Sequence, residues 1–156
     1  MEGDLFSKEA RELSPSLFRI SMSMLHHEQD AQDALQQTLL KAWVKRDKVW
    51  EGSFRPWLIS ILVNECRDML RRKKRVIVTN TLEESPVPAH DMSLRDVLDR
   101  LPEKFRTPFL LKHMEGFSEK EIATMLRLPA STVRGRLYRA RQHLQIELSE
   151  KEAEEV

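Results

Sequence analysis

Apolar residues recur at three- and four-residue steps along nearly all of this 156-residue chain, and that spacing constrains the fold more than any other feature. Alternating, strand-like stretches do not appear, and only four glycines interrupt the pattern. The expected fold class is therefore all-α. A first helix is predicted from about Ser7 to Leu25, with Leu13, Leu17, Ile20 and Met24 along one face. A second opens around Asp30 and places Ala31, Leu35, Thr38, Leu39, Ala42 and Trp43 inward. The polar stretch Arg46 to Ser53 breaks the periodicity. Ser53 can cap a third helix that tolerates Pro56 in its first turn, with Phe54, Trp57, Leu58, Ile61, Leu62, Cys66 and Met69 as its buried stripe.

Periodicity stops after Arg75. Residues Val76 to Met92 include Pro86 and Pro88 among several polar residues, a stretch too long for an ordinary loop inside a compact domain, and are expected to be a flexible interdomain linker. Two small helical domains follow, 1–75 and 93–150. The second begins near Ser93, whose pairing with Asp96 resembles a cap, with Leu94, Val97, Leu98 and Leu101 at helical spacing. Pro102 restarts the helix as its first residue, Phe105, Phe109 and Leu110 form its apolar side, Pro108 should kink or shorten it, and Gly116 ends it. Ser118 to Glu121 has the spacing of a capping box and opens a helix bearing Ile122, Ala123, Met125 and Leu126. After the tight turn Arg127-Leu128-Pro129, a longer helix buries Val133, Leu137, Ala140, Leu144 and Leu148. A short helix, a turn and a longer basic helix make a helix-turn-helix, whose second helix can enter a DNA major groove.

The net charge of +1 carries no information about partners, but its distribution does. Six basic residues lie between Arg67 and Arg75 against the single acid Asp68, and five arginines lie between Arg127 and Ile146 with no acid at all. A single basic run is commonly a solvated face; two, each closing a helical module, favour phosphate. At about 100° per residue, Ser131, Gly135, Tyr138, Arg139 and Gln142 point away from the buried stripe of the last helix, with Arg136 on one shoulder and Arg134 and Arg141 on the other. An ordinary amphipathic helix does not require every acid to be excluded from it.

Other chemistries find little support. Cys66, the single cysteine, cannot form an internal disulfide and falls on an apolar stripe. His26, His27 and Asp30 raise a metal site, but adjacent histidines point to different sides of a helix and no second cluster completes a ligand set. Neither a nucleophile-elbow motif nor a glycine-rich phosphate loop occurs, so no catalytic residue, metal or cofactor is expected. The polar start and the lack of a long apolar run predict a cytoplasmic protein without membrane insertion. Trp50, in the polar stretch, suits two roles: covering the end of the three-helix core, or stacking on an unpaired base.

From about Leu13 to Leu144 the chain resembles the extracytoplasmic-function group of the sigma-70 family of bacterial RNA polymerase sigma factors. Asp30 to Trp43 resembles the segment that docks on the polymerase clamp. Phe54-Arg55-Pro56-Trp57-Leu58 through Asn64 to Leu70-Arg71-Arg72 is similar to the segment that recognises and melts the minus-ten element. Leu101 to Arg106, Glu121-Ile122-Ala123 and Thr132 to Leu137 with Arg139-Ala140-Arg141 resemble the domain that reads the minus-thirty-five element. The resemblance implies a region 2-like domain over 1–75 and a region 4-like domain over 93–150. It implies polymerase binding by Asp30, Asp33, Gln36, Gln37 and Leu40, and minus-ten contacts by Trp50, Asn64, Arg71 and Arg72. Minus-thirty-five contacts are expected from Arg127, Ser131, Thr132, Arg134, Gly135, Arg136, Tyr138 and Arg139.

Implied partners are core RNA polymerase through its beta and beta-prime subunits, promoter DNA, and an anti-sigma factor able to hold the protein at the membrane; no small-molecule substrate is expected. The sequence departs from the family at Gln37, where glutamate is common, at Pro129, in place of a hydrophilic cap, and at Gly135, where a small polar residue is usual. No appended C-terminal domain is expected. The function so read is non-enzymatic: promoter-specific transcription initiation. The alternatives are a stand-alone helix-turn-helix regulator and, on the histidine pair alone, a helical metal-dependent hydrolase.

Overall fold

The computed structural model of the chain describes residues 1–50, 52–79 and 94–154 and contains, among them, seven α-helices, one 3-10 turn and no strand. The chain divides into two compact units, Met1–Leu82 and Glu83–Val156. None of the described helices is long and apolar enough to cross a membrane.

In the first unit, helices α1 (Gly3–Leu25), α2 (Glu28–Val44) and α3 (Phe54–Thr79) pack against one another in all three pairings. Helix α1 begins earlier than the predicted Ser7. It buries Phe6, Ala10, Leu17, Ile20, Met24 and Leu25, while Leu13 is half-buried. His26 adopts a left-handed conformation (φ 54°) and its N–H closes α1 on the Met22 carbonyl, while His27 caps α2, its Nδ1 accepting from the Asp30 N–H at 3.4 Å. The histidine pair thus forms the corner between two helices.

Helix α2 buries only small residues, Ala31, Ala34, Thr38 and Ala42. Trp43, expected inward, is 41% exposed. Its ring meets the Phe6 ring edge-on at 5.4 Å, and the Arg46 guanidinium stacks over it at 4.0 Å, so it covers the rim of the core without entering it. Deep burial in α3 falls to Trp57, Leu58, Ile59, Leu62, Val63 and Cys66; Phe54, Ile61 and Met69 are half-buried. Each fully buried leucine or isoleucine contributes about 1.5–3 kcal/mol. Pro56 falls in the first turn, where its missing donor costs no helical bond. The helix runs to Thr79, so residues 76–79 continue α3 and do not begin the linker as expected; 80–92, and the Ser93 cap, lie outside the described residues.

The second unit comprises α4 (Leu94–Arg100), α5 (Glu103–His113), α6 (Glu119–Leu126) and α7 (Ala130–Glu154). Helix α7 touches the other three. Val97, Leu98, Leu101, Phe105, Ala140 and Leu144 form one cluster, with Phe109 and Leu110 packed on it; Leu94 is exposed. Pro102 is the N-cap of α5, not its first helical residue, and the helix runs through buried Pro108 to His113 without being cut there. Gly116 lies beyond that end, where a positive φ of 78° lets the chain reverse so that the Phe117 N–H reaches the Leu111 carbonyl at 3.0 Å. The capping box is formed: the Glu121 N–H donates to Ser118 Oγ and the Ser118 N–H to Glu121 Oε1, both at 3.1 Å. Ile122, Ala123, Met125 and Leu126 are buried as expected, and so are Val133, Leu137, Ala140 and Leu144, but Leu148 is 37% exposed because α7 there outruns the cluster it packs on.

Arg106 is buried, and Nη1 donates to the Leu101 carbonyl at 2.6 Å and the Asp99 carbonyl at 3.3 Å, tying the end of α4 to α5. Burial pushes its guanidinium pKa down, against the opposing pull of Asp99 and Glu103.

Candidate functional site

On α2 the residues left over from the core form one outward face. Asp33, Gln36, Gln37 and Leu40 are all exposed, and Val44 extends the strip, with Leu40 61% and Val44 78% exposed. At 100° per residue Asp33, Gln37, Leu40 and Val44 lie within one narrow sector of the helix. A soluble helix that turns leucine and valine to water beside carboxylate and amide groups has the composition of a docking face: an apolar contact with a polar rim. Val44 escaped the sequence reading because it follows Ala42 and Trp43, which appeared to continue the core stripe. Asp33 accepts a hydrogen bond from Gln29 Nε2 at 2.9 Å. Asp30 differs from its neighbours: it is half-buried, ion-paired with Lys73 of α3, and 3.7 Å from His27 Nδ1.

An open groove runs between α2 and α3, lined by Asp33, Gln36 and Gln37 on one wall and Arg71, Arg72 and Arg75 on the other. Asp33, Gln36 and Gln37, expected at polymerase, and Arg71 and Arg72, expected at minus-ten DNA, are therefore brought to one groove, whereas Asp30, Leu40, Trp50 and Asn64 do not line it. Glu65 at its floor is nearly fully buried, and its carboxylate is held between Lys41 and, at 3.7 Å, Arg72. A buried carboxylate between two cations is an expensive arrangement to break from one side. It locks α2 to α3 and fixes where Arg72 stands. The sequence carried a signal for it: Glu65 sits inside the apolar stripe, with Arg72 seven residues on and so on the same face. Arg71 pairs with Asp68 at 3.4 Å. Asn64 is exposed, and Trp50 is half-buried in the bend before α3, its carbonyl accepting from the Ser53 N–H at 3.0 Å.

In the second unit Arg127 ends α6 in a left-handed conformation (φ 56°) and opens the three-residue turn, Arg127 to Pro129, that leads into α7. Ser131, Arg134, Gly135, Tyr138 and Arg139 are exposed, while Thr132 and Arg136 are partly covered at the shoulders. Around Gly135 an added Cβ would meet nothing within 4 Å. Tyr138 Oη accepts from Gln142 Nε2 at 2.9 Å. Ser131, Gly135, Tyr138 and Arg139 thus share one outward sector of α7, with Thr132 and Arg136 toward one shoulder, Arg134 on the other, and Arg127 in the turn before it. Glu119, which the sequence reading passed over, joins that surface to its support: Lys112 Nζ stands 3.0 Å from Oε1 and Arg134 Nε 3.4 Å from Oε2. The hydrogen bond from Lys112, reinforced by Arg134 and opposed by partial burial, holds the Glu119 carboxyl below the usual range. Spacings of seven and fifteen residues across two turns leave no local signal for such a hub. Among the described residues no group of three or more His, Cys, Asp or Glu side chains is arranged to hold a metal ion.

Comparison with known proteins matches two family models in order along the chain: Sigma-70 region 2 over residues 10–76, and Sigma-70, region 4, over residues 91–144. RNA polymerase sigma factor CarQ of Myxococcus xanthus is 32% identical, over 97% of this chain and 91% of its own. RNA polymerase sigma factor SigV of Bacillus subtilis is 30% identical over 86% of each. ECF RNA polymerase sigma factor SigE of Mycolicibacterium smegmatis is 30% identical over 92% of this chain, which spans 62% of that relative's length. Among solved structures, the sigma factor RpoE of Bartonella quintana, crystallised with the anti-sigma factor NepR, superposes with a TM-score of 0.79 at 27% identity, covering 92% of this chain and 96% of that one. CnrH in complex with the cytosolic domain of CnrY gives 0.71 at 26% identity, over 95% and 90%.

Proposed function

This chain belongs to the extracytoplasmic-function group of the sigma-70 family of RNA polymerase sigma factors, and from that membership we propose how its two units divide the work of promoter-specific transcription initiation. The observation that carries the reading is the pairing of two unlike surfaces on one chain: the outward apolar and amide strip of α2, and the arginine face of α7 from Ala130 to Ile146, a stretch without acids, the glutamates of that helix beginning at Glu147.

The α2 strip docks on core polymerase. Leu40 and Val44 supply the apolar contact, and Asp33, Gln36 and Gln37 the directional one. Asp30 supports this face from behind, since its carboxylate is engaged with Lys73. The helix-turn-helix binds the duplex upstream element, with Ser131, Thr132 and Arg134 near the start of α7 meeting base edges and Arg127, Arg136 and Arg139 meeting phosphates. Duplex binding sets the register. The first unit then captures a base turned out of the minus-ten stack, which offsets the few kcal/mol of unpairing. The amide of Asn64 offers both donors and an acceptor to a base edge, while Arg71 and Arg72 hold the backbone beside it.

No bond in substrate is made or broken by the chain itself in this scheme, so the protein acts as a non-enzymatic specificity subunit working in the cytoplasm. The solved relative bound to the anti-sigma factor NepR supports an anti-sigma partner here, one that covers the polymerase-binding strip and holds the factor silent. Run-off transcription with reconstituted core polymerase on genomic fragments tests the reading: discrete transcripts that depend on the added chain are expected. A chain that binds promoter fragments but neither co-purifies with core polymerase nor yields transcripts would instead be a stand-alone regulator.

A further inference from the structure

The carboxylate of Glu119 sits where three helices of the second unit meet. It is the first residue of α6, it receives Lys112 from the last turn of α5, and it receives Arg134 from the second turn of α7. The two contacts use different oxygens, so they do not compete. Lys112 and Glu119 are each about two-thirds covered, whereas Arg134 is 67% exposed. The covered pair is the anchor and the exposed arginine is the part presented to solvent.

The contact made by Arg134 is through Nε, at 3.4 Å. A guanidinium carries five donors in a planar fork. Engaging Nε takes one edge of that plane and leaves the two Nη groups at its far end. Bidentate recognition of guanine in the major groove needs two parallel donors aimed at O6 and N7. An arginine on a four-bond stem finds that geometry only by losing rotamer freedom; one already held at Nε by a fixed carboxylate has lost part of it in advance. The same carboxylate is a negative charge beside a phosphate-facing surface, which opposes indiscriminate attraction to DNA.

We infer that Glu119 is a specificity-determining positioning residue: it holds Arg134 by Nε so that the Nη end reads one base of the upstream element, and it lowers sequence-independent binding. The inference rests on the proposed reading of α7 as the DNA-reading helix. Glu119 itself touches no base; it acts through Arg134.

The test uses the full chain bound to core polymerase and a promoter library randomised across the upstream element. Base preference at each position is read by sequencing the bound fraction, alongside affinity for an unrelated duplex at several salt concentrations. For Glu119→Gln the preference at one position should fall from about tenfold or more, as expected of a bidentate arginine, to below about threefold. Arg134→Ala should flatten that same position, and combining the two substitutions should add nothing there. Affinity for the unrelated duplex should rise by a few-fold, with a steeper salt dependence. Lys112→Met separates support from positioning, because it removes the other arm of the hub while Glu119, the first residue of α6 behind the Ser118–Glu121 capping box, stays in place to hold the arginine. It should lower thermal stability without flattening the preference.

If Glu119→Gln leaves the preference profile intact, or if Lys112→Met flattens it equally with a matching loss of stability, Glu119 is structural only and the inference fails. If the unsubstituted chain shows no preference at any upstream position, the reading of α7 fails first.

Discussion

Replacing Gly135 by alanine should move stability and DNA binding in opposite directions. Gly135 lies in the second turn of α7 at ordinary helical geometry, and a methyl built there meets no atom within 4 Å. The substitution therefore carries neither a clash nor a cavity term. What remains is intrinsic helix propensity, about 0.8–1 kcal/mol in favour of alanine. For a unit of this size a gain of about 1 kcal/mol raises the melting temperature by roughly 4–8 °C. On the free protein, thermal unfolding followed by circular dichroism should show it. The open space around Gly135 is also the space a DNA backbone or base edge would enter, since Ser131, Tyr138 and Arg139 face the same way. If DNA closes to van der Waals distance there, the methyl must be accommodated by withdrawal of the helix. A loss of about 1.4 kcal/mol, tenfold in affinity, is the expected result in fluorescence anisotropy with an upstream-element duplex at fixed salt. A raised melting temperature with undiminished DNA affinity would refute close approach at this position. An unchanged melting temperature would refute the structural half of the argument.

Asp33→Ala should weaken core polymerase binding in a pull-down titration while leaving the melting temperature within about 1 °C, because an exposed carboxylate hydrogen-bonded only at the surface contributes little to folding. Asn64→Ala should preserve polymerase binding and closed-complex formation yet reduce permanganate reactivity of minus-ten thymines on duplex promoter; an equal defect on a pre-melted bubble would remove the residue from strand opening. Arg139→Ala should lower affinity uniformly across sequences and reduce the salt slope by about one, whereas Arg134→Ala should alter base preference; indistinguishable behaviour would put both on phosphate. Glu119 and His113 both have lowered pKa values, Glu119 chiefly through its hydrogen bond from Lys112 and His113 chiefly through burial, then Lys112 and Arg141. A depressed folded-state pKa stabilises above the unfolded value and loses that contribution as pH falls. The second unit should therefore lose stability below about pH 6.5 and again below about 4.5, with His113→Gln flattening the upper limb and Glu119→Gln the lower.

Helical identity and the capping box were legible because both are local: periodicity assigns the buried stripe, and Ser118 with Glu121 satisfies two orphan donors within four residues. The exposed face of α7 that carries Ser131, Gly135, Tyr138 and Arg139 was legible for the same reason, since angular spacing along one helix needs no tertiary knowledge. What escaped were contacts made across helices. Trp43 satisfied the spacing of the core stripe but is held at the rim by Phe6 and Arg46, and of the covered carboxylates Glu65 depends on Lys41 of α2 as well as on Arg72 of its own helix, and Glu119 on Lys112 and Arg134 of two other helices. The end of α3 lies beyond its expected place because the basic run from Arg71 to Arg75 reads as its close, whereas the backbone helix continues through residues 76–79.

Helix α2 fully buries only small residues, Ala31, Ala34, Thr38 and Ala42, leaves Leu35 and Leu39 half-buried, holds Trp43 at the rim, and turns Leu40 and Val44 outward. Each alanine buried in place of a leucine forgoes the burial of several methylene equivalents, at about 0.8 kcal/mol apiece. The apolar hold of the helix on its own domain is thus weaker than its length suggests, the ion pairs of Lys41 with Glu65 and of Asp30 with Lys73 tie it to α3, and Leu40 and Val44 are left facing outward. Occupancy of the outer face and order in the helix become one linked quantity: a partner present at a hundred times its dissociation constant adds about 2.7 kcal/mol to the folded state. Amide exchange along α2 should slow more on polymerase binding than exchange along α1, so that this helix reports from within whether the factor is free or engaged.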